Sequence, residues 1–297
     1  MRVLVTGVRG KVGRTAASTL AHRGHDVVGT DLTRPVYESR EPGQLAYVQA
    51  DLTDAGSAYS LVAGFDAVVH AAAIPEPTQN VPHEVFANNL QSAFNVAEAC
   101  VRLGVRRLVN ISSETVPGFI FAEQPFLPDY CPVDEEHPVA PQDAYALAKH
   151  FAEQVCDAAV RRCDLTAVSI RASWVQWEGN YARNIGPYLL NPDLPSITFW
   201  SYVDAYDLGQ LIALAAEAQT PGHEVVYAAQ PDNIGGRDLV ASMTRHYPSV
   251  ELRAVGRPDA GGISIDKARR LFGWDPQRSW RDYLDPDGHA IAAYRLG

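Results

Sequence analysis

The feature that most constrains this chain is its first thirteen residues. Val3-Leu4-Val5 reads as a strand, Thr6-Gly7-Val8-Arg9-Gly10 as a turn, and Lys11-Val12-Gly13 as the start of an apolar-periodic helix. Glycines at this spacing let the backbone bend sharply and approach a ligand closely. The free N–H groups at the helix start then favour an anion such as a pyrophosphate. A glycine triplet carries this meaning only between a strand and a helix, and both conditions hold here. Gly7, Gly10 and Gly13, with the backbone of Lys11 and Val12, are therefore the expected pyrophosphate cradle.

An acidic residue closes the next strand in Val28-Gly29-Thr30-Asp31, 18 positions past Gly13. A carboxylate at about that distance meets an adenosine ribose, and it would repel a 2′-phosphate. Asp31 thus points to NAD. Arg9 and Arg34 lie near enough in sequence to meet such a phosphate, which keeps NADP open.

Short β-branched runs at 2–5, 26–30, 46–49, 67–70, 107–111 and 166–170 alternate with helical stretches at 12–23, 55–62, 82–103 and 144–161. The runs are continuously apolar, as expected of parallel strands covered on both faces. The order predicts an α/β fold, a Rossmann-type doubly wound parallel sheet. After Ser173 the chain becomes rich in aromatics and prolines, with further helices at 206–218, 237–246 and 266–272 and a strand at 224–228. We read 1–173 as a dinucleotide-binding domain. Residues 174–297 read as a small substrate lobe packed on it, with part of the chain returning to the sheet.

Composition narrows the classes of partner. With 25 Lys+Arg against 35 Asp+Glu, the net charge of −10 argues against a nucleic-acid binder, which needs a basic face. No apolar run approaches the ~18 residues of a membrane span. The N-terminus meets a glycine too early for a signal peptide. The four cysteines show neither a C-x-x-C pair nor a zinc spacing, and no metal site is expected. A cytoplasmic protein with reduced thiols is the expectation.

Tyr145-Ala146-Leu147-Ala148-Lys149 places a phenol and an ammonium on one face of a helix. A free tyrosine, with a pKa of about 10, is a poor base at neutral pH. A neighbouring Lys⁺ and a positive nicotinamide ring would both favour the phenolate. Arg107-Leu108-Val109-Asn110-Ile111-Ser112-Ser113 ends a predicted central strand, so a serine hydroxyl emerges at the carboxyl end of the sheet, where ligands bind in such folds. That serine would hold and polarise a hydroxyl or carbonyl while the tyrosine moves the proton.

Together, T-G-x-x-G-x-x-G, Asp31, Asp51-Leu52, His70-Ala71-Ala72-Ala73, Asn88-Asn89-Leu90, Ser112-Ser113 and Tyr145-x-x-x-Lys149 resemble the extended short-chain dehydrogenase/reductases. Among these they look most like the NAD-dependent epimerase/dehydratase branch. The resemblance covers residues 1 to about 171, with weaker echoes to about 284. It implies that Asp51 and Leu52 contact adenine, that Ala71, Ala72 and Ala73 lie beside the nicotinamide half, and that Asn89 stands behind the cofactor. It also implies Ser113 as the catalytic hydroxyl, with Ser112 as fallback, and Tyr145 and Lys149 as the proton-transfer pair. A homodimer through the helices at 82–103 and 144–161 is implied as well.

The resemblance breaks after the sixth strand. A segment similar to R-x-x-N-x-x-G-P is expected in sugar-nucleotide epimerases, whereas this chain has Arg171-Ala172-Ser173-Trp174-Val175-Gln176-Trp177-Glu178. A tryptophan offers a stacking face and one N–H, and cannot reproduce an amide's contacts. Trp174 is expected to face substrate, while most of the other tail aromatics are expected in the lobe's core. Arg183 and Arg257, with Arg237, are candidates for a substrate anion. No Asp-Glu pair for elimination follows Ser113, although Glu114 stands alone there. The implied function is NAD(P)-dependent oxidoreduction at a secondary alcohol or ketone of a sugar, sugar derivative or nucleotide sugar. One alternative is epimerisation with no net redox change; another is a non-catalytic dinucleotide sensor.

Overall fold

The computed structural model describes residues 1–33 and 45–291; Arg34, weighed above for a 2′-phosphate, lies outside them. The elements are β1 (Arg2–Thr6), α1 (Lys11–His22), β2 (Asp26–Asp31), β3 (Ala46–Gln49), α2 (Ala55–Val62), β4 (Ala67–His70), α3 (Pro82–Leu103), β5 (Arg107–Ser113), β6 (Tyr130–Cys131) and α4 (Ala144–Val160). They continue with β7 (Thr166–Ala172), β8 (Val175–Gln176), α5 (Tyr181–Asn184), α6 (Gly186–Leu190), β9 (Val203–Asp204), α7 (Ala205–Glu217), β10 (His223–Ala228), α8 (Leu239–His246), β11 (Glu251–Leu252) and α9 (Asp266–Phe272).

Seven strands form one parallel sheet in the order β10-β7-β5-β4-β1-β2-β3. Successive strand residues supply opposite faces. Val3, Val5, Val69 and Val109 enter one core, while Leu4, Val68, Leu108 and Ala167 enter the other. That two-sided demand is why the strands read as unbroken apolar runs. The chain steps outward from β1 in both directions, so the strand order reverses between β1 and β4, and the carboxyl ends part there into a crevice.

Strands β5 and β7 run two residues past their expected ends, pairing Ser112 with Arg171 and Ser113 with Ala172. Polar residues at a strand end suggest a turn, but here they are buried and held by partners within the protein. The Ser112 hydroxyl donates to Glu153 Oε1 at 2.6 Å, and Arg171 donates to both Glu153 oxygens at 2.9 and 2.8 Å. This buried network ties α4 to the sheet behind the crevice.

Beyond Ser173 the chain adds β10 to the sheet edge and lays α7 along α1. Phe199, Trp200, Tyr202 and Tyr181 are fully buried, and Tyr181 stacks on Tyr283 with ring centroids 4.2 Å apart. Most of the aromatic tail is therefore core. Asp204 and Asp207 support it: Asp204 accepts from the Tyr181 hydroxyl at 2.7 Å, and Asp207 from the backbone of Gln277 and Arg278.

Removing one partner of a buried ion pair leaves the other uncompensated. Glu153→Ala should cost about 3–5 kcal/mol in chemical denaturation. Replacing Glu153 and Arg171 together with apolar residues of similar volume should cost much less.

Candidate active site

The glycine turn is built by close backbone approach. Gly7 has φ +67°, and a Cβ there would lie 2.7 Å from the Ala71 carbonyl carbon and the Ala72 Cα. A Cβ on Gly13 would lie 2.2 Å from the Gly7 oxygen. Only glycine permits both contacts. Gly10 caps α1 without a side-chain acceptor, so the first-turn N–H groups, including those of Lys11 and Val12, receive none from the cap. A helix N-terminus left in this state suits an anionic diphosphate.

The neighbouring loop is clamped in place. The Thr6 hydroxyl accepts from the N–H groups of Ala71 and Ala72, each at 3.1 Å, and bonds His70 Nδ1 at 3.0 Å. Asn89 on α3 uses both amide atoms on Ile74, accepting from its N–H at 2.8 Å and donating to its carbonyl at 2.9 Å. Asn89 therefore holds the loop that follows Ala73. Asp31 lies at the end of β2, taking the Arg9 N–H at 3.0 Å and the Leu32 N–H at 2.8 Å. Asp51 is exposed and accepts from Thr53. Leu52 is buried, and its carbonyl accepts from Asn95 at 2.9 Å.

Asp143 caps α4 by accepting from the N–H groups of Tyr145 and Ala146, each at 2.9 Å. That cap puts Tyr145 in the first turn and Lys149 one turn later, facing β5. Ser113 Oγ accepts from the N–H and hydroxyl of Thr115, at 3.2 and 3.0 Å, and is near enough to the Tyr145 hydroxyl to favour its ionised form. With its lone pairs so engaged, the serine's proton is directed to the phenol. Thr115 escaped the sequence reading, although a hydroxyl two residues after the serine was the signal for this turn. Ser112 is engaged by Glu153, so Ser113 is the serine that meets the tyrosine.

One electrostatic expectation needs correction. Lys149 Nζ donates to the Ile111 carbonyl at 2.6 Å and lies 5.7 Å from the centre of the Tyr145 ring. Burial pushes the Tyr145 phenol up to about 12, opposed by the Ser113 hydrogen bond and reinforced by Asp143, Glu114 and Glu76. Burial also pushes Lys149 down to about 8. Desolvation is the largest influence on it, so the protein alone does not make this phenol acidic. His70, pushed down to about 3 by burial and by Lys149, is neutral.

The remaining candidates are dispersed. Trp174 is half-buried two residues past the end of β7, with Tyr188 edge-on at 6.5 Å, and its backbone N–H favours the ionised form of the Glu114 carboxyl. Arg183 is exposed and close enough to Lys11 to disfavour its charge. Arg257 is bound by both nitrogens to Asp259, at 2.6 and 3.0 Å, in a network with Arg281 and Asp232. A substrate anion would have to compete with that pair. Arg237 is not an anion site: its guanidinium donates to the carbonyls of Ile234, Pro192 and Tyr188 and holds the lobe together. The sequence showed no metal-ligand cluster, but the structure gathers Asp285, Asp287 and His289 within 4.8 Å on an exposed turn. Asp285 already accepts there from the N–H groups of the other two.

These features together fit a dinucleotide and a proton-transfer pair in one crevice. A model of the NAD dependent epimerase/dehydratase family matches residues 3–191. The chain belongs to that family. It is accordingly an NAD-dependent enzyme of the epimerase and dehydrogenase kind. It is similar to the UDP-glucose 4-epimerase of Corynebacterium glutamicum, 26% identical over 94% of this chain and 92% of the relative. The uronate dehydrogenase of Pseudomonas putida is 27% identical over 77% of this chain and 76% of that one. The fold is shared with MoeE5, solved with UDP-glucuronic acid and NAD, at a TM-score of 0.71 and 21% identity over 95% of both chains.

In this family member Glu114 brings a carboxyl of unusual protonation to the site. It is buried, accepts from Ser173 Oγ at 2.6 Å, and is pushed up to about 8 by desolvation. The folded state then holds an extra proton from the ordinary carboxylate range up to about pH 8. Stability from this group is fully present at low pH and falls as pH rises through that window. Lys149, lowered to about 8, makes stability change with pH only above that value, where stability rises as the buried ammonium loses its proton. Between pH 5 and 8 the melting temperature of the native enzyme should fall by a few degrees more than that of Glu114→Gln. Parallel pH profiles would show that Glu114 ionises normally.

Proposed function

We propose that the chain is an NAD-dependent dehydrogenase or reductase acting on a secondary alcohol or ketone of a sugar or sugar derivative that carries negative charge. The observation that carries this reading is the meeting of Ser113, at the carboxyl end of β5, with Tyr145 and Lys149 of α4, where Lys149 Nζ donates to the Ile111 carbonyl of the same strand. Gly7, Gly10, Lys11, Val12 and Gly13 would hold the diphosphate and Asp31 the adenosine ribose. Asp51 and Leu52 would line the adenine, and Ala71 to Ala73, fixed by Thr6 and Asn89, the nicotinamide half. Asp31 favours NAD over NADP.

When bound, oxidised NAD supplies the hydride acceptor and a positive ring that favours the phenolate. In the reductive direction Tyr145, protonated at neutral pH, donates its proton to the carbonyl oxygen while Ser113 holds that oxygen. In the oxidative direction the phenolate removes the hydroxyl proton, and oxidation should speed up with rising pH. Lys149 anchors to Ile111 and presents its remaining N–H groups to the cofactor's ribose. Residues from 174 onward form the substrate lobe, where Trp174 offers a sugar a stacking face and Arg183 offers an anion a partner. Arg257 would join them only by leaving Asp259.

The uronate dehydrogenases among the relatives and the replacement of an amide by Trp174 support net redox chemistry. The similarity over nearly the whole length of a UDP-glucose 4-epimerase supports the second reading, epimerisation. Incubation with uronic acids or with UDP-sugars separates the two: NADH accumulates in the first case and stays flat in the second. Tyr145→Phe should lower turnover by about 10²–10⁴-fold and leave NADH binding intact. Full activity in that variant would remove the mechanism.

A homodimer through α3 and α4 belongs to the same reading. Phe94 and Phe151 are 47% and 40% exposed on this face, beside Leu90 and Val155 in a shallow apolar groove. Exposed aromatics gathered on two adjacent helices suit an isologous contact. Phe151→Glu should shift the mass in light scattering from dimer to monomer. A cytoplasmic location is supported by four unpaired cysteines, three of them buried.

A further inference from the structure

Lys11 contributes more than its backbone to the glycine turn. Its ammonium lies 3.3 Å from the centre of the Trp177 ring. Trp177 sits between β8 and α5, on a turn in which its N–H donates to Asn180 Oδ1 at 2.8 Å and its carbonyl accepts from the Asn180 N–H at 2.9 Å. Asn180 is buried, so the indole is set on a fixed support. The contact therefore joins the start of α1 directly to the chain that follows β8. Two further charged groups face the ammonium: Arg183 disfavours its charge and Glu76 favours it. Glu76 also acts on Tyr145. The contact thus lies at the N-terminal end of α1, where the expected diphosphate cradle is built.

We propose that the Lys11–Trp177 contact is a clasp across the dinucleotide cleft, which must open whenever the cofactor enters or leaves and so sets its exchange rate. The idea rests on the dinucleotide reading of the site. An ammonium over an aromatic face is held by the ring quadrupole, more firmly as both partners lose water. The clasp spans the mouth without occupying the phosphate-facing N–H groups, so it resists passage rather than competing for the ligand. Slow exchange favours a cofactor that stays through successive turnovers, and fast exchange favours net redox chemistry.

The test is the release of NADH from the purified protein, followed by loss of bound-cofactor fluorescence on mixing with excess NAD. Trp177→Ala and Lys11→Met should each release NADH about 5–30-fold faster than the native chain, the factor a contact of this kind supplies. The double variant should be no faster than the faster single one, because both changes remove the same contact. Trp177→Phe, which keeps an aromatic face, should stay within about threefold of the native rate. Trp177→Leu replaces the alanine variant if that one does not fold. Unchanged release from Trp177→Ala or its leucine replacement, or additive effects in the double variant, would overturn the clasp. Faster release from Lys11→Met alone would also overturn it, assigning the charge to the phosphates. A native chain that binds no NADH would remove the dinucleotide reading itself, whereas binding with unaltered rates removes only the clasp.

Discussion

The site depends on the contact between Gly7 and the Ala71–Ala72 backbone. It brings the ends of β1 and β4 together where the strand order reverses, and it does so without a side chain between them. The Thr6 hydroxyl completes the contact by taking two N–H groups that would otherwise point into the crevice. Two neighbouring backbones held this closely form a floor on which a flat, charged ligand can lie. Everything else in the crevice is arranged relative to that floor: α1 points its uncapped end at it, and β5 and α4 raise the serine and tyrosine beside it.

A second constraint works from behind. Glu153 gathers the Ser112 hydroxyl and the Arg171 guanidinium into one buried group, which locks α4 against β5 and β7. Buried ion pairs contribute little net stability, but they are intolerant of the wrong geometry. Here the geometry at stake is the separation between Tyr145 on the helix and Ser113 on the strand. An error there of about 1 Å would be costly to proton transfer. The network thus acts on the chemistry through position, from about two turns along α4 from Tyr145.

Much of this was legible in the sequence because the relevant signals are local. The glycine turn, the apolar runs and the tyrosine-lysine spacing each declare themselves within a few residues. The helix at 82–103 and the strands at 46–49 and 67–70 were read to their observed ends. What escaped was set by partners far along the chain. Ser112 and Ser113 look like strand-end turn residues until Glu153 is brought under Ser112 and its strand neighbour Arg171. Arg237 looks like a free cation until the carbonyls of residues 188–192 close around it. Lys11 looks like a solvated helix residue until Trp177 arrives from more than half the chain away. Tail elements such as β6, β8, β9 and β11 are two residues long each, too short to carry any period.

The error about the phenol is of the same kind, and it shows what the protein leaves to its ligand. Sequence places an ammonium four residues from a tyrosine, which in water would favour the phenolate. Burial reverses the balance: the phenol keeps its proton, the ammonium is pushed toward losing one, and Glu114 is pushed toward neutrality. Three ionisable groups at one site are thus all biased toward their uncharged forms. Such a crevice has little field of its own and responds strongly to charge introduced from outside, because its surroundings screen poorly. A positively charged ring entering it would favour the tyrosine's phenolate. The same ring, once neutral, would let the proton return. Proton affinity at Tyr145 would then follow the redox state of the cofactor, coupling the two transfers without any movement of the chain.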